Sequence, residues 1–598
     1  MGVAMRAVSI CCALLSVADA VAQRRPRPSA TAAKVGLHLP WQDSLESALA
    51  AARAQERRVF WYVSRVPKTP MDRLLAIDMY MRAGFFSDPD IGELLQEFVL
   101  FRGAPKRADA KRYDLRPFRF VEPGFLVLDA KGKELARAHS ITTFSPAWLE
   151  HRLRPFLPAT AASFGAAASP AIRATLQALG KGDLAGARAA LGETEVKSVR
   201  GRFLDAAITF LLGKHTAATT AWQKLAQAHP QHALGRRAAA EAERFGPISR
   251  GFWIWRDLPG GWQADALGTT CPRTAKDLSM LRRRSVDFLL GMQNEDGGFL
   301  DSNYDFGGQD SLPNVYVAVT ALCVRALLRH RVTNPKRCDA AIARGLAYCL
   351  DPKHVAANDK DEWIWARVYP IHLVCDVLDT KVDLAGHDAG GLRKALSALC
   401  AEALGRQQSD GAFRHEYANP FATAAVLMAL HAARRHGVRL PAKDIKRAVV
   451  SLKRCRTGRG AFSYFQAGRR RPASASVKGA AGRMPYCEAA LFVWDASNEK
   501  AVISAVAAAF EHHEQLASTR KYDDHANGLG YGGFFFWFDM LGREMAFDLL
   551  GSKAAQWRGK QRDIVLSVPE IDGCFVDSHE LGRSYGTAVA LLILPSQQ

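Results

Sequence analysis

The side chains of this chain that could do chemistry gather in short polar and aromatic segments, each just ahead of an apolar helix. The segments hold Asp310 and Asn314; Trp363, Trp365, Arg367 and Tyr369; His415, Tyr417 and Asn419; Arg483, Tyr486 and Glu488; Tyr522, Asp523, Asp524, His525 and Tyr531; and Asp577, His579, Glu580, Arg583 and Tyr585. Asp523 with His525, and Asp577 with His579, are candidate catalytic pairs, because a carboxylate beside an imidazole is the residue set of general acid–base chemistry. The aromatic and charged members suit a concave surface that holds a ligand by apolar faces and a few placed polar groups. Any one of them alone is more often a helix cap or a bond between helices. Two strings mislead. "GLGYGG" at 528–533 matches a dinucleotide loop but lies between helices, not after a strand. His512 and His513 look metal-like, yet adjacent helical residues point apart.

The elements that must position these residues repeat. "QNEDGGF" at 293–299 recurs as "QQSDGAF" at 407–413 and "EIDGCF" at 570–575, with a degenerate copy, "RTGRGAF", at 456–462. Each turn is followed by an apolar helix in a shared register, starting near Tyr316, Phe421, Tyr486 and Tyr585. The turn glycines Gly297, Gly411, Gly460 and Gly573 are spaced 114, 49 and 113 residues apart. A further unit therefore fits inside each long gap, at 361–378 and 527–547, which predicts a helical repeat array from about residue 270 to the end. The motif itself reads as structural. Asp-Gly supplies a turn with positive φ, Gln and Asp satisfy helix-end backbone groups, and the aromatic ring packs between hairpins. The residues in that role are Gln293, Asp296, Gly297, Phe299, Gln407, Asp410, Gly411, Phe413, Asp572, Gly573 and Phe575.

Gln-x-x-Asp-Gly-x-Phe before an apolar helix resembles the repeated turn of squalene–hopene-type terpenoid cyclases and protein prenyltransferase β subunits, over residues 270–598. The resemblance implies an all-α, α/α-toroid domain with inner and outer helices around a cavity, and places the polar segments at its mouth. A ligand-binding surface is then expected from Trp363, Trp365, Arg367, Tyr369, His415, Tyr417, Arg483, Tyr486, Glu488, Tyr531, Glu580, Arg583 and Tyr585. The cyclases' Asp-x-Asp-Asp acid is missing. The prenyltransferases' Asp-x-Cys zinc motif is missing too, since Pro485 stands two residues before Cys487. No cofactor is expected, and the only metal the resemblance suggests is zinc on Cys487 with His525, and His579 or Asp577.

Residues 37–160 alternate helix and strand: a helix in "LESALAAARAQERR", strands at 59–63 and after "IGELLQE", two strands over 124–137 joined at Lys131-Gly132, and a closing helix. This predicts an α/β domain with a mixed sheet. The order resembles the thioredoxin fold, with Pro123 at the place of that family's cis-proline. The family's Cys-x-x-Cys position reads "SRVPKTPMDR", without cysteine, so the domain cannot exchange disulfides and is expected to dock a protein partner. Residues 168–246 are Ala-rich and resemble tetratricopeptide-type helical hairpins, a short all-α spacer.

The N-terminus reads as an export signal over 1–22, with Arg6, an apolar run from Ala7 and a cleavage site before Gln23, followed by a disordered linker over 23–36. This places the multidomain protein in the periplasm or outside the cell. No later run reaches the ~20 apolar residues of a membrane span. The net charge of +21 is dispersed and comes with no nucleic-acid motif, which argues against nucleic acid and leaves an anionic envelope surface as a partner. Nine cysteines lie beyond the signal, from Cys271 to Cys574, without a CxxC pair, so no disulfide framework is expected. The expected function is binding of an apolar, peptide or glycan ligand at the toroid mouth. The alternatives are a toroid transferase, hydrolase or lyase, and a basic envelope-assembly protein.

Overall fold

The computed structural model describes residues 27–596 except 68–73, 118, 162, 253–254, 256, 258–262, 266–267, 271–274, 305–310, 381, 383, 385, 469–470, 518–519 and 522–534. The export signal, Cys271, Asp310, Asp523, His525 and Tyr531 lie outside the described residues.

Near the N-terminus, strands β1 (Trp41–Gln42), β2 (Arg58–Val63), β3 (Phe98–Arg102), β4 (Gly124–Leu128) and β5 (Glu134–Ala138) form one mixed sheet in the order β1-β3-β2-β4-β5. β1 and β2 run parallel to β3, while β4 runs antiparallel to β2 and β5. Period-two alternation in β2 buries both faces. Val59, Trp61 and Val63 pack on one side with Leu45, Ala48 and Ala52 of α1 (Leu45–Gln55). Phe60 and Tyr62 face the other side, in the apolar cluster that continues into the rest of the molecule. The Glu122–Pro123 peptide ahead of β4 is cis. α2 (Leu74–Gly84), α3 (Pro89–Leu95), α4 (Arg107–Arg112) and α5 (Pro146–Leu153) complete this layer.

The linker expected over 23–36 is not disordered where it is described. Ala32 and Val35 are buried, and the Arg82 guanidinium donates to the carbonyls of Val35 (2.8 Å) and Ala33 (2.5 Å). Two apolar residues three apart, met by one buried donor, suffice to pin a short polar segment.

Five helices follow: α6 (Pro170–Lys181), α7 (Leu184–Glu195), α8 (Val199–Leu211), α9 (His215–Ala228) and α10 (Ala233–Ala242). They pack in sequence as antiparallel neighbours, and short Ala side chains let them approach closely.

The C-terminal helices alternate between two layers. The outer ones are α11 (Ala275–Met292), α13 (Pro335–Leu350), α15 (Ala389–Gly405), α17 (Ala442–Arg454), α19 (Glu499–Glu511) and α21 (Ala555–Leu566). The inner ones are α12 (Leu312–Arg329), α14 (Trp365–Thr380), α16 (Pro420–Arg434), α18 (Met484–Phe492), α20 (Phe536–Leu550) and α22 (Gly582–Ile593). Each inner helix packs against the next, and α22 packs back against α12, so the six close into a ring. Inner helices such as α12 and α16 are largely apolar because most of their surface is covered; α17 is amphipathic because one face meets water. This explains why α12 is long and apolar enough to cross a membrane by length and composition, although most of it is buried inside the ring.

The repeated turns make the same bonds in each copy. The Phe299, Phe413 and Phe575 amides donate to the hydroxyls of Thr320, Thr423 and Thr587 on the inner helix that follows, at 2.9, 3.0 and 3.0 Å. The Asp296, Asp410 and Asp572 carboxylates accept the amide two residues on. The Gln293 and Gln407 amides each donate across the turn and to a carbonyl of the next outer helix, Ala341 (2.8 Å) and Asp444 (2.9 Å). Gly297 and Gly411 have φ of 97° and 91°, and a Cβ on either would lie 2.3 Å from a backbone oxygen of that helix. A short ribbon, β6 (Phe413–His415) and β7 (Tyr417–Asn419), extends the second turn toward the ring mouth. All eight described cysteines are buried and none is disulfide-bonded.

Candidate functional site at the mouth of the helical ring

The N-termini of the inner helices meet around a cavity of about 50 Å³. Tyr304 and Phe535, from the segments ahead of α12 and α20, line it with Trp365, Tyr369, Phe538 and Tyr585 from the helices themselves. Trp365 stacks on Tyr369 at 5.9 Å and meets Phe538 edge-on at 5.6 Å. Glu362 is the one charged side chain among the described residues of the lining.

Glu362 belongs to a buried polar cluster at the edge of this aromatic wall. One donor atom each from Glu362, His415 and Glu416 lies within 4.8 Å of the others, and this is the only such group among the described residues. His415 Nδ1 is 3.3 Å from Glu362 Oε2, 3.1 Å from the Asp361 carbonyl and 3.1 Å from Trp365 Nε1. His415 Nε2 is 3.5 Å from Glu416 Oε1, and the Tyr304 hydroxyl donates to that same oxygen at 3.4 Å.

Local structure holds each member in place. His415 and Tyr417 pair across the ribbon, which leaves Glu416 alone at its tip with φ of 56°. A non-glycine residue in the left-handed region is uncommon and is kept there by its surroundings. Here Asn419 does so: its amide donates to the carbonyls of His415 (3.1 Å) and Tyr417 (2.8 Å) while its oxygen caps α16 at the Ala422 amide. The segment carrying Glu362 is fixed by Asp359, which accepts from the Asp361 and Glu362 amides and from Ser311 and Asn314.

Burial alone would lower the pKa of His415, but the Glu362 and Glu416 carboxylates outweigh it and raise the imidazole to about 9. Burial, with Glu362 and Asp361 nearby, raises Glu416 to about 7 against the pull of His415. The site is therefore an imidazolium held between two carboxylates, one of them near its midpoint at neutral pH. A protonated His415 turns its Nδ1–H to Glu362 and Asp361. A neutral one, protonated on Nε2, accepts the Trp365 indole N–H at Nδ1 instead.

The other sequence candidates lie elsewhere. Trp363 faces outward, sandwiched between the Arg367 and Arg406 guanidiniums at 4.6 and 4.1 Å, and Arg367 pairs with Glu402. Arg483 donates to the Phe462 and Gly479 carbonyls, and Glu488 accepts from Arg456 and Ser497, so both tie turns to helices. Tyr417 meets Phe465 at a tilt, their ring centres 4.8 Å apart, and Tyr486 meets Phe538 edge-on. Arg583 pairs with Asp572 and covers the Phe252 and Phe288 rings where the ring closes. The Glu580 carbonyl accepts from Asn303 and Ser302 at the same closure. Asp577 caps α20 through the Trp537 amide (3.0 Å), and burial raises its pKa to about 7.

The described members of the expected pair and of the expected zinc set lie apart from the Glu362–His415–Glu416 cluster. His579 is buried among Tyr80, Phe144 and Phe252, where burial and Lys521 push it down to about 3. It sits at the seam with the sheet, because an aromatic ring with few polar neighbours completes an apolar core. Cys487 is fully buried inside α18, its thiol pushed well above the ordinary range by burial. Neither belongs to a ligand cluster among the described residues, and His525, the third expected ligand, lies outside them.

The chain matches no protein-family model and no curated relative. The site thus rests on its own geometry. Of its members, Trp365, Tyr369, His415 and Tyr585 were foreseen, while Tyr304, Glu362, Glu416 and Phe538 were not. "HEY" and "DEW" each put a Glu beside a named residue. What was missing is the tight turn at Glu416, which folds two sequence neighbours onto one point.

Proposed function

We propose that this is an exported binding protein whose C-terminal helices form an α/α toroid like those of terpenoid cyclases and prenyltransferase β subunits. The closed ring of six inner and six outer helices supports that resemblance. The strand order β1-β3-β2-β4-β5 supports a thioredoxin-like domain, and the absence of cysteine between residues 23 and 270 supports its having no redox role. The ligand is an apolar molecule with a hydroxyl or ammonium end, held at the mouth of the ring. The observation that carries this reading is an aromatic cavity with Glu362 as the single charged group among its described lining residues. Aromatic faces favour apolar or cationic groups, and a carboxylate at the edge fixes the polar end. A volume of about 50 Å³ admits a head group, so the rest of the ligand lies outward along the rim.

Mass spectrometry of an organic extract of the purified protein tests this. A bound amphiphile is expected, lost in Trp365→Ala and in Glu362→Gln. An empty extract, together with unchanged tryptophan fluorescence on titration with hydrophobic alcohols and amines, sinks the reading.

A second reading rests on Glu416, whose carboxyl near 7 beside an imidazolium suits acid–base catalysis. It predicts that the extracted molecule returns chemically changed after incubation with the native protein and unchanged with Glu416→Gln.

A further inference from the structure

Five of the inner helices, α12, α14, α16, α20 and α22, line a second cavity toward their C-terminal ends. It measures about 320 Å³. Val315 to Leu322 of α12 line the aromatic cavity, whereas Arg325 and Arg329, one and two turns further along, line this one. In the same way Trp365 and Tyr369 give way to His372 and Asp376 along α14, and Phe538 to Leu541 and Glu544 along α20.

One wall of this cavity is basic and comes from three consecutive inner helices: Arg325 and Arg329 of α12, His372 of α14, and His431 with Arg435 at the end of α16. Its carboxylates are already engaged. Asp376 accepts from Arg325 Nε at 2.7 Å, and Glu544 and Asp548 both pair with Arg558. Three buried nitrogens on the basic wall have no partner: Arg325 Nη1, His372 Nε2 and His431 Nδ1. His372 is only 6% exposed, and burial beside Arg325 and Arg435 pushes it well below the ordinary imidazole range, so it is a neutral N–H donor.

Arginine near helix C-termini complements the helix dipole, and that accounts for its presence here. It does not account for a guanidinium nitrogen and two imidazole nitrogens buried without acceptors, since such groups are normally satisfied. Ordered water could serve them, but apart from Glu544 and Asp548, which Arg558 holds, the side formed by α20 and α22 is apolar, with Leu541, Met545, Leu549 and Leu592, and Met428 extends it from α16. A basic wall opposite an apolar one matches a molecule with an acidic head and an apolar body.

We propose that this cavity binds a small organic oxyanion, its carboxylate or phosphate on Arg325, His372 and His431 and its apolar part against Met428 and Leu541. This site uses none of the residues of the mouth described above, so the two stand or fall separately.

Isothermal titration of the full chain with benzoate and with phenyl phosphate tests it. Saturable binding of at least one is expected, with a rise in the melting temperature. Removing one charge-assisted donor should weaken it by roughly tenfold to a hundredfold in Arg325→Gln and to a lesser degree in His372→Gln. Arg393→Gln, an exposed arginine on α15, is the control for general charge and should bind as the native chain does. If Arg325→Gln does not fold, as judged by circular dichroism, His372→Gln carries the comparison. No saturable binding of either probe to the native chain overturns the proposal. So does equal binding by native and His372→Gln proteins, or an equal loss in the Arg393→Gln control.

Discussion

His415 and Glu416 make the stability of this protein depend on pH in one direction. His415 is raised from 6.5 to about 9, so its contribution is complete below 6.5 and is lost as pH rises through 9. Glu416 is raised from 4.5 to about 7, so the fold favours its protonated form, and that contribution fades as pH rises from 4.5 through 7. Both act with the same sign. The melting temperature should therefore fall between pH 6.5 and 9, with up to about 3 kcal/mol from His415 at a rate of 1.36 kcal/mol per pKa unit. Thermal melts across that range check it. His415→Asn should flatten the profile above pH 6.5, and a native profile that rises there contradicts the assignment. The imidazolium also explains how two carboxylates share so dry a place: each supplies the charge that makes burial of the ring tolerable.

At the scale of elements, the Asp-Gly turns decide where each inner helix begins. Gly411 combines a φ of 91° with a backbone oxygen 2.3 Å from any added Cβ, so Gly411→Ala forces both strain and a shift of α17. A loss of about 2–3 kcal/mol is expected in chemical denaturation, mostly from backbone strain. Thr423→Val removes the acceptor of the Phe413 amide at a buried position and should cost about 1–3 kcal/mol. If Gly411→Ala is no worse than an Ala substitution at the open Gly405 of α15, the turn is not the staple described. These turns were legible because Asp-Gly and a following aromatic leave a fixed-spacing trace in the chain, and the mixed sheet because the short apolar run at 59–63 and the two strands over 124–137 alternate with helical segments. The candidate site was half legible. His415 and Trp365 stand out by type, but Glu362 and Glu416 look like ordinary surface carboxylates in sequence. Their burial depends on Asp359 and Asn419, whose bonds reach across two helices and a ribbon tip. Asp577 and His579, chosen for spacing alone, turned out to serve a helix cap and an aromatic seam.

For the whole molecule, the seam between sheet and ring is where the parts become one body. Tyr80 and Phe144 of the sheet layer meet Phe252 and His579 in continuous aromatic packing. Beside them Lys521 Nζ lies 2.8 Å from Glu570 Oε1, and both are buried. Thr142 and Thr143, from the segment after β5, donate to the two oxygens of Glu570 at 3.0 and 2.8 Å. A second tie runs from α3 to the helical hairpins, where Arg200 holds Asp90 with two bonds of 3.2 and 2.5 Å. Such contacts make the sheet a structural partner of the ring, and that face cannot also be a free docking surface. Burial would raise the Glu570 pKa, but Lys521 and Arg583 lower it overall, so its contribution holds above the ordinary carboxylate range and disappears only as pH falls through its depressed value. Glu570→Gln keeps the shape and one threonine bond to the remaining oxygen, replaces the other acceptor by an amide N–H donor and strands the Lys521 charge. A buried pair broken on one side costs about 3–5 kcal/mol. Because the seam joins the layers, the loss should appear as a second, earlier transition in denaturation followed by tryptophan fluorescence. Thr142→Ala with Thr143→Ala should loosen the same seam by less, about 1–3 kcal/mol for each bond removed from a buried carboxylate. A single transition at the native midpoint in Glu570→Gln would mean that the ring and the sheet are joined by their apolar contacts alone.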